Sequence, residues 1–159
     1  MSRFPQRPFR FGVQADNAPS RAAWVDLARR CEANGYSTLT MPDHFGDNDY
    51  KHPVVLAKEL ATIDLLSEGR LEIGLGAGWM VSDYEQSGIP YDRAGVRVDR
   101  FVEGLSIIKA AFGEGPFDHS GTHYNVSGYN GLPKPVQKPH PPILIGGGGR
   151  RVLGIAARE

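Results

Sequence analysis

The chain has little that would staple, charge or anchor it. Cys31 is its one cysteine, so no intrachain disulfide framework is available and no oxidising compartment is implied. Net charge is missing too. Its 18 Lys and Arg offset 18 Asp and Glu, and no basic run exceeds a dipeptide, which removes the electrostatic footprint of a nucleic-acid binder. No apolar stretch approaches the ~20 residues of a spanning helix, and none follows Arg3, Arg7 and Arg10 to make a secretory signal. These absences predict a cytoplasmic protein with no nucleic-acid and no membrane partner. What is there is ordinary globular material: 159 residues, 40% hydrophobic and 23% charged. A domain of that size buries roughly 68–70% of its unfolded surface.

Strand and helix patterns alternate. Phe9 to Gln14 reads as a strand, and Ser20 as the N-cap of a helix whose Trp24, Leu27, Ala28 and Cys31 form one apolar stripe. Asn34-Gly35 supplies its left-handed stop, and Ser37 to Met41 is the next strand. Pro53 suits the first turn of a second helix with Leu56, Leu60 and Ile63 on one face, broadened by Ala57, Ala61 and Leu65. Leu71 to Leu75 is a strand, Gly76 to Pro90 an irregular stretch, and Val96 to Phe112 a third amphipathic helix. The core face of that helix is Val98, Phe101, Val102, Leu105, Ile108 and Phe112. Residues 113 to 142 read as an extended excursion with a small hairpin around Gly121, and Ile143 to Ile145 as a last strand before the glycine run that opens a final helix.

This alternation predicts an α/β fold with a parallel sheet, open and doubly wound or closed as a barrel. A closed eight-unit barrel typically takes about 250 residues. The strand ending in Gly74-Leu75-Gly76-Ala77-Gly78 places glycines where parallel-sheet proteins approach ligands. It resembles the first motif of an S-adenosylmethionine-dependent methyltransferase, but no strand ending in a ribose-binding acid follows, and the spacing is not that of a dinucleotide fingerprint.

Several segments together carry a second resemblance. They are Phe11 to Gln14, Met41-Pro42-Asp43-His44, His52 to Glu59, Ser67-Glu68-Gly69-Arg70, Gly74 to Trp79, and Pro141-Pro142-Ile143-Leu144-Ile145-Gly146-Gly147-Gly148. In order and wording they resemble the luciferase-like monooxygenase superfamily, nearest to its actinobacterial branch that uses the deazaflavin coenzyme F(420), with FMN as the alternative cofactor. The resemblance implies a TIM-type (β/α)8 barrel and an oxidoreductase acting on a small organic molecule. It implies that Asp43 and His44 lie beside the deazaflavin ring as catalytic and cofactor-binding residues. Such a His bonds the ring or relays a proton, and the carboxylate holds its tautomer. Gly76, Gly78 and Trp79 are expected on the ring's other side. Gly146, Gly147, Gly148 and Gly149 with Arg150 are expected at the phosphate of the cofactor tail. Trp79 stands where some sugar-phosphate dehydrogenases of the superfamily have a carboxylate, which argues against a sugar-phosphate substrate.

The remaining polar residues have plainer expectations. Arg97, Arg100 and Glu103 read as a structural ion-pair set on the third helix. His119 and His123 have metal-ligand spacing but flank Gly121 with no third ligand, so no metal site is expected. His52 is a loop anchor. The chain departs from the family in one respect, because only Phe45 to Lys51 separates the Met41 to His44 and His52 to Glu59 segments. One β-α unit is expected to be missing near 47–50, and residues 1–159 to form the N-terminal part of the barrel as a single domain. A half barrel exposes sheet edges and helix faces, so a homodimer or higher homo-oligomer is expected, and a non-catalytic oligomeric binding protein is the alternative from another class.

Overall fold

Ser20 opens the first helix as its side chain predicts. In a computed structural model of the chain, its hydroxyl accepts the Ala23 N–H at 3.2 Å. Residues 9–15, 18–41 and 51–159 are described. Asp43, His44 and the junction expected between Gly46 and Tyr50 lie outside the described residues. The chain divides into the units Met1–His44 and Phe45–Glu159.

In the first unit, β1 (Gly12–Gln14), α1 (Arg21–Ala33) and β2 (Thr38–Thr40) follow in order, and β1 pairs parallel with β2 through Gly12 and Thr38, Val13 and Leu39, and Gln14 and Thr40. The strand expected from Phe9 is shorter: Phe9 and Phe11 are exposed, and the Phe11 carbonyl accepts the Ser37 N–H and hydroxyl ahead of β1. Cys31 is the buried residue of α1. Gly35 takes φ +78°, the left-handed stop that a side chain would resist.

The second unit begins with α2 (Pro53–Leu66), β3 (Ile73–Gly76), α3 (Val81–Ser87) and α4 (Ala94–Phe112). The hairpin β4 (Phe117–Ser120) and β5 (Asn125–Tyr129) follows, then β6 (Ile143–Gly146) and α5 (Arg150–Ala156). His52 anchors the start of α2, its Nδ1 accepting the Val54 N–H at 3.4 Å. The core joins Leu56, Ala57 and Ala61 of α2, Ile73 and Leu75 of β3, Phe101, Leu105, Ile108 and Phe112 of α4, and Ile155 of α5. Each fully buried large side chain among them contributes about 1.5–3 kcal/mol. Ala57, Ala61 and Gly104 are small buried residues at the α2–α4 seam, where a Cβ on Gly104 would meet that of Pro53 at 3.9 Å, an ordinary van der Waals contact.

Three expectations are corrected. The buried face of α2 is turned by one residue, so Ile63 and Leu65 are exposed and Asp64 is wholly buried. On α4, Val102 is exposed because Gly104 and Arg97 take the inward positions. The stretch read as irregular contains α3, which buries Tyr84 and is closed by Gly88 at φ +71°. No helix among the described residues is long and apolar enough to cross a membrane.

β3 and β6 pair parallel, Ile73 with Ile143 through Gly76 with Gly146. Ile73, Leu75, Ile143 and Ile145 face the helices, and the alternate residues Gly74, Gly76, Leu144 and Gly146 make the opposite face. Leu144 is accordingly 55% exposed.

The excursion after α4 is tied down by carboxylates. Glu103 accepts the N–H of Tyr124 at 2.7 Å, both its oxygens accept that of His123, and His119 Nε2 lies 3.2 Å from Oε1. Gly121 is required at the turn, because a Cβ there would collide with the Glu103 carboxylate. Removing the acceptor in Glu103→Ala takes away the bonds that the His123 and Tyr124 N–H groups make to it and is expected to lower stability by about 2 kcal/mol. Urea unfolding of both proteins measures it.

Candidate functional site

Because Gly76 and Gly146 are opposite one another in the parallel register, the segments after β3 and β6 leave from the same carboxyl end. Between them and the first turn of α4 lies a cleft of about 990 Å³. Its walls are Gly74 to Trp79, Leu144 to Val152, and Ala94, Gly95, Arg97 and Val98. Glycine is structural here at three points: Gly78 has φ +65°, Gly147 has φ +143° and a Cβ on it would lie 2.8 Å from Val152 Cγ1, and one on Gly76 would lie 3.3 Å from the Gly146 carbonyl oxygen. Trp79 lines the cleft with 71% of its surface exposed.

Among the described residues the charge in the cleft is of one sign: its lining holds Arg97, Arg150 and Arg151 and no carboxylate. Arg151 pairs with Asp99, and among the described residues Arg150 has no ion-pair partner. Arg97 is buried, and its partners are carbonyls: Nε donates to Ala77 O at 3.3 Å and Nη1 to Asp92 O at 2.8 Å. Its guanidinium lies 3.9 Å from the centre of the Tyr91 ring, which meets Tyr84 edge-on. Tyr91 in turn donates to the Trp79 carbonyl at 3.2 Å.

The expected set of Arg97, Arg100 and Glu103 is therefore not a set of mutual ion pairs. Arg97 binds carbonyls, Arg100 pairs with Asp92 at 2.5 Å, and Glu103 holds the hairpin. Helical spacing put the three on adjacent turns but could not show that other partners lay nearer. The structure brings Gly76, Gly78, Trp79, Gly146, Gly147, Gly148, Gly149 and Arg150 onto one cleft. The sequence reading missed Arg97 and Arg151 as lining residues. The signal available was the Arg150-Arg151 dipeptide directly after the glycine run.

Residues 48–159 match the model of the luciferase-like monooxygenase family. The chain belongs to that family. Among relatives of this luciferase-like chain, an FMNH(2)-dependent dimethylsulfone monooxygenase from Pseudomonas putida is 33% identical over 106 residues, covering 67% of this chain and 29% of that protein. The coenzyme F(420)-dependent tetrahydromethanopterin reductase from Methanopyrus kandleri superposes with a TM-score of 0.80 at 19% identity, over 94% of this chain and 53% of that one. An F(420)-dependent secondary alcohol dehydrogenase in complex with an F(420)-acetone adduct gives 0.76 at 18% identity, over 92% and 55%. The luciferase-like chain thus spans about half the length of these solved structures and under a third of the curated relative. These likenesses decide the fold between the two parallel-sheet options: it is part of a luciferase-like TIM-type barrel. The methyltransferase reading of the Gly74 to Gly78 segment falls with the family match.

Proposed function

We propose that this chain forms the cofactor-binding part of an oxidoreductase that moves a hydride between coenzyme F(420) and a small organic substrate. The observation that carries the reading is the cleft at the carboxyl ends of β3 and β6, walled by glycine and lined, among the described residues, by three arginines and no carboxylate. A flat heteroaromatic ring with a phosphorylated tail fits it. The glycines let a ring lie against backbone, the volume is at the upper end of the ~300–1,000 Å³ of ligand pockets, and the one-signed charge suits phosphate. The bound cofactor supplies the hydride chemistry and the chain supplies binding and orientation. Gly76, Gly78 and Trp79 flank the ring, while Gly146 to Gly149 and Arg150 take the tail phosphate. Asp43 and His44 are assigned to the ring's reacting edge, where His44 bonds the ring or relays a proton and Asp43 holds its tautomer.

A second reading, an FMN-dependent monooxygenase, is favoured by the Pseudomonas putida relative, whose name carries FMNH(2). In either case we place the protein in the cytoplasm as a homodimer or higher homo-oligomer. We read the chain as the N-terminal part of the barrel with one β-α unit omitted near 47–50.

A fluorescence titration of the 159-residue chain with coenzyme F(420), FMN and S-adenosylmethionine tests this. Saturable deazaflavin binding is expected, weakened by His44→Ala and by about tenfold in Arg150→Ala. Tighter binding of FMN selects the second reading. A folded protein that takes neither flavin-type cofactor overturns both and leaves a non-catalytic binding protein.

A further inference from the structure

The chain after β3 is gripped at two points that the cofactor assignment does not use. Gly78 turns there at φ +65°, and the carbonyls on either side of it are both taken. Arg97 Nε donates to the Ala77 carbonyl at 3.3 Å, and the Tyr91 hydroxyl donates to the Trp79 carbonyl at 3.2 Å. The two grips are themselves joined, since the Arg97 guanidinium lies 3.9 Å from the centre of the Tyr91 ring. Tyr84, buried on α3, steadies Tyr91 by meeting its ring edge-on at 4.8 Å, and Arg97 Nη1 donates to the Asp92 carbonyl at 2.8 Å. Stability alone gives a poor account of this arrangement. Arg97 is 8% exposed, and a buried cation held by carbonyls and a ring costs more than an apolar side chain of its volume would at that point of α4. What the cost secures is local: the backbone position of Trp79, whose indole stands exposed on the cleft.

We propose that Arg97 and Tyr91 are positioning residues, which clamp the main chain on both sides of Gly78 and so hold the Trp79 indole as a pre-set wall for a planar ring bound in the cleft. The inference rests on the reading above in taking that ring to be the flavin or deazaflavin. An exposed indole on an unheld glycine turn samples many orientations, and a ligand that stacks on it must first select one. Two carbonyl bonds remove much of that freedom before the ligand arrives, and both act through the main chain. Arginine suits the first grip, because its donors diverge to two carbonyls while its flat face lies on Tyr91, a combination that a lysine ammonium cannot make.

The test uses the full chain carrying Trp24→Phe as parent, so that Trp79 is the sole indole, with FMN, riboflavin and coenzyme F(420) as probes. Tyr91→Phe removes one hydroxyl and keeps the ring under Arg97, so its urea midpoint should stay at the parent value. Its Trp79 emission anisotropy in the unliganded chain should fall. FMN and riboflavin should each weaken by about three- to tenfold and by the same factor, because the clamp serves the ring they share. Arg97→Lys should show both effects, and the double variant should lose less affinity than the product of the single losses, since the two residues grip one turn. A lower urea midpoint with Trp79 anisotropy and affinities at parent values is a structural role only and overturns the proposal. So does an FMN to riboflavin preference that moves with Arg97→Lys, since Arg97 would then serve the phosphate. Tyr91→Phe carries the test by itself where Arg97→Lys does not fold. A chain that takes none of the three probes rejects the proposed function, and the anisotropy then decides the clamp: a fall in Tyr91→Phe keeps it, and the parent value overturns it.

Discussion

Asp64→Ala is expected to lower the unfolding free energy by about 4 kcal/mol, seen as a drop in urea midpoint with an unchanged slope. The wild-type carboxylate is wholly buried and takes the Gln137 N–H at 3.0 Å and the Gln137 side-chain amide at 2.7 Å. That amide also donates to the Leu71 carbonyl at 2.8 Å, so one residue ties the end of α2 to the chain ahead of β6 and to the approach of β3. Alanine leaves the part-buried Gln137 main-chain donor without its carboxylate acceptor. The same geometry fixes a pH dependence. Burial alone would raise the Asp64 pKa, but the bonds from Gln137, Val136 and Leu71 outweigh it and hold the group below its ordinary 3.8. Glu103 is likewise held below 4.5, where bonds from His123, Tyr124 and His119 outweigh its burial. For carboxylates lowered in the folded state, the stability they add is complete above those ordinary values and is lost as pH falls through the folded ones. Asp64→Asn should therefore show a shallower loss of stability below about pH 4 than wild type.

Gly147→Ala is expected to cost at least tenfold in cofactor affinity with only a small change in melting temperature. At φ +143° an L side chain is strained, and its Cβ would press on Val152 Cγ1 at 2.8 Å, so the segment between β6 and α5 must shift. The segment is exposed at the mouth of the cleft, which keeps the global cost low. Paired cofactor titrations and thermal melts separate the two effects. A variant that binds as tightly as wild type would remove the glycine run from the site.

The β-α alternation was legible because each long element carries its own period. α4 has apolar residues on one side through five turns, and Ser20, Gly35 and Pro53 mark boundaries by local chemistry. α3 was not legible, since seven residues with one buried side chain offer no period to detect. Asp64 was hidden by its neighbours. Ile63 and Leu65 look like core, and only the partner Gln137, 73 residues on, makes an acid tolerable there. Arg97 was misread for a related reason: an arginine in a charged helix suggests carboxylates, and nothing local announces that its partners are the carbonyls of Ala77 and Asp92. The glycine positions were readable as a ligand wall because glycine at a strand's carboxyl end has few other uses. That the two runs meet depended on the β3–β6 register.

That register gives the cleft an uneven capacity for change. Its floor at Gly74, Gly76 and Gly146 is bare backbone, so every point mutation there adds atoms and none removes any. Drift at these positions can narrow or re-shape the space but cannot widen it, while the walls at Trp79, Leu144 and Val152 can move either way. A change that makes room for a bulkier ligand must therefore fall in the walls, because the glycine floor is already at its widest.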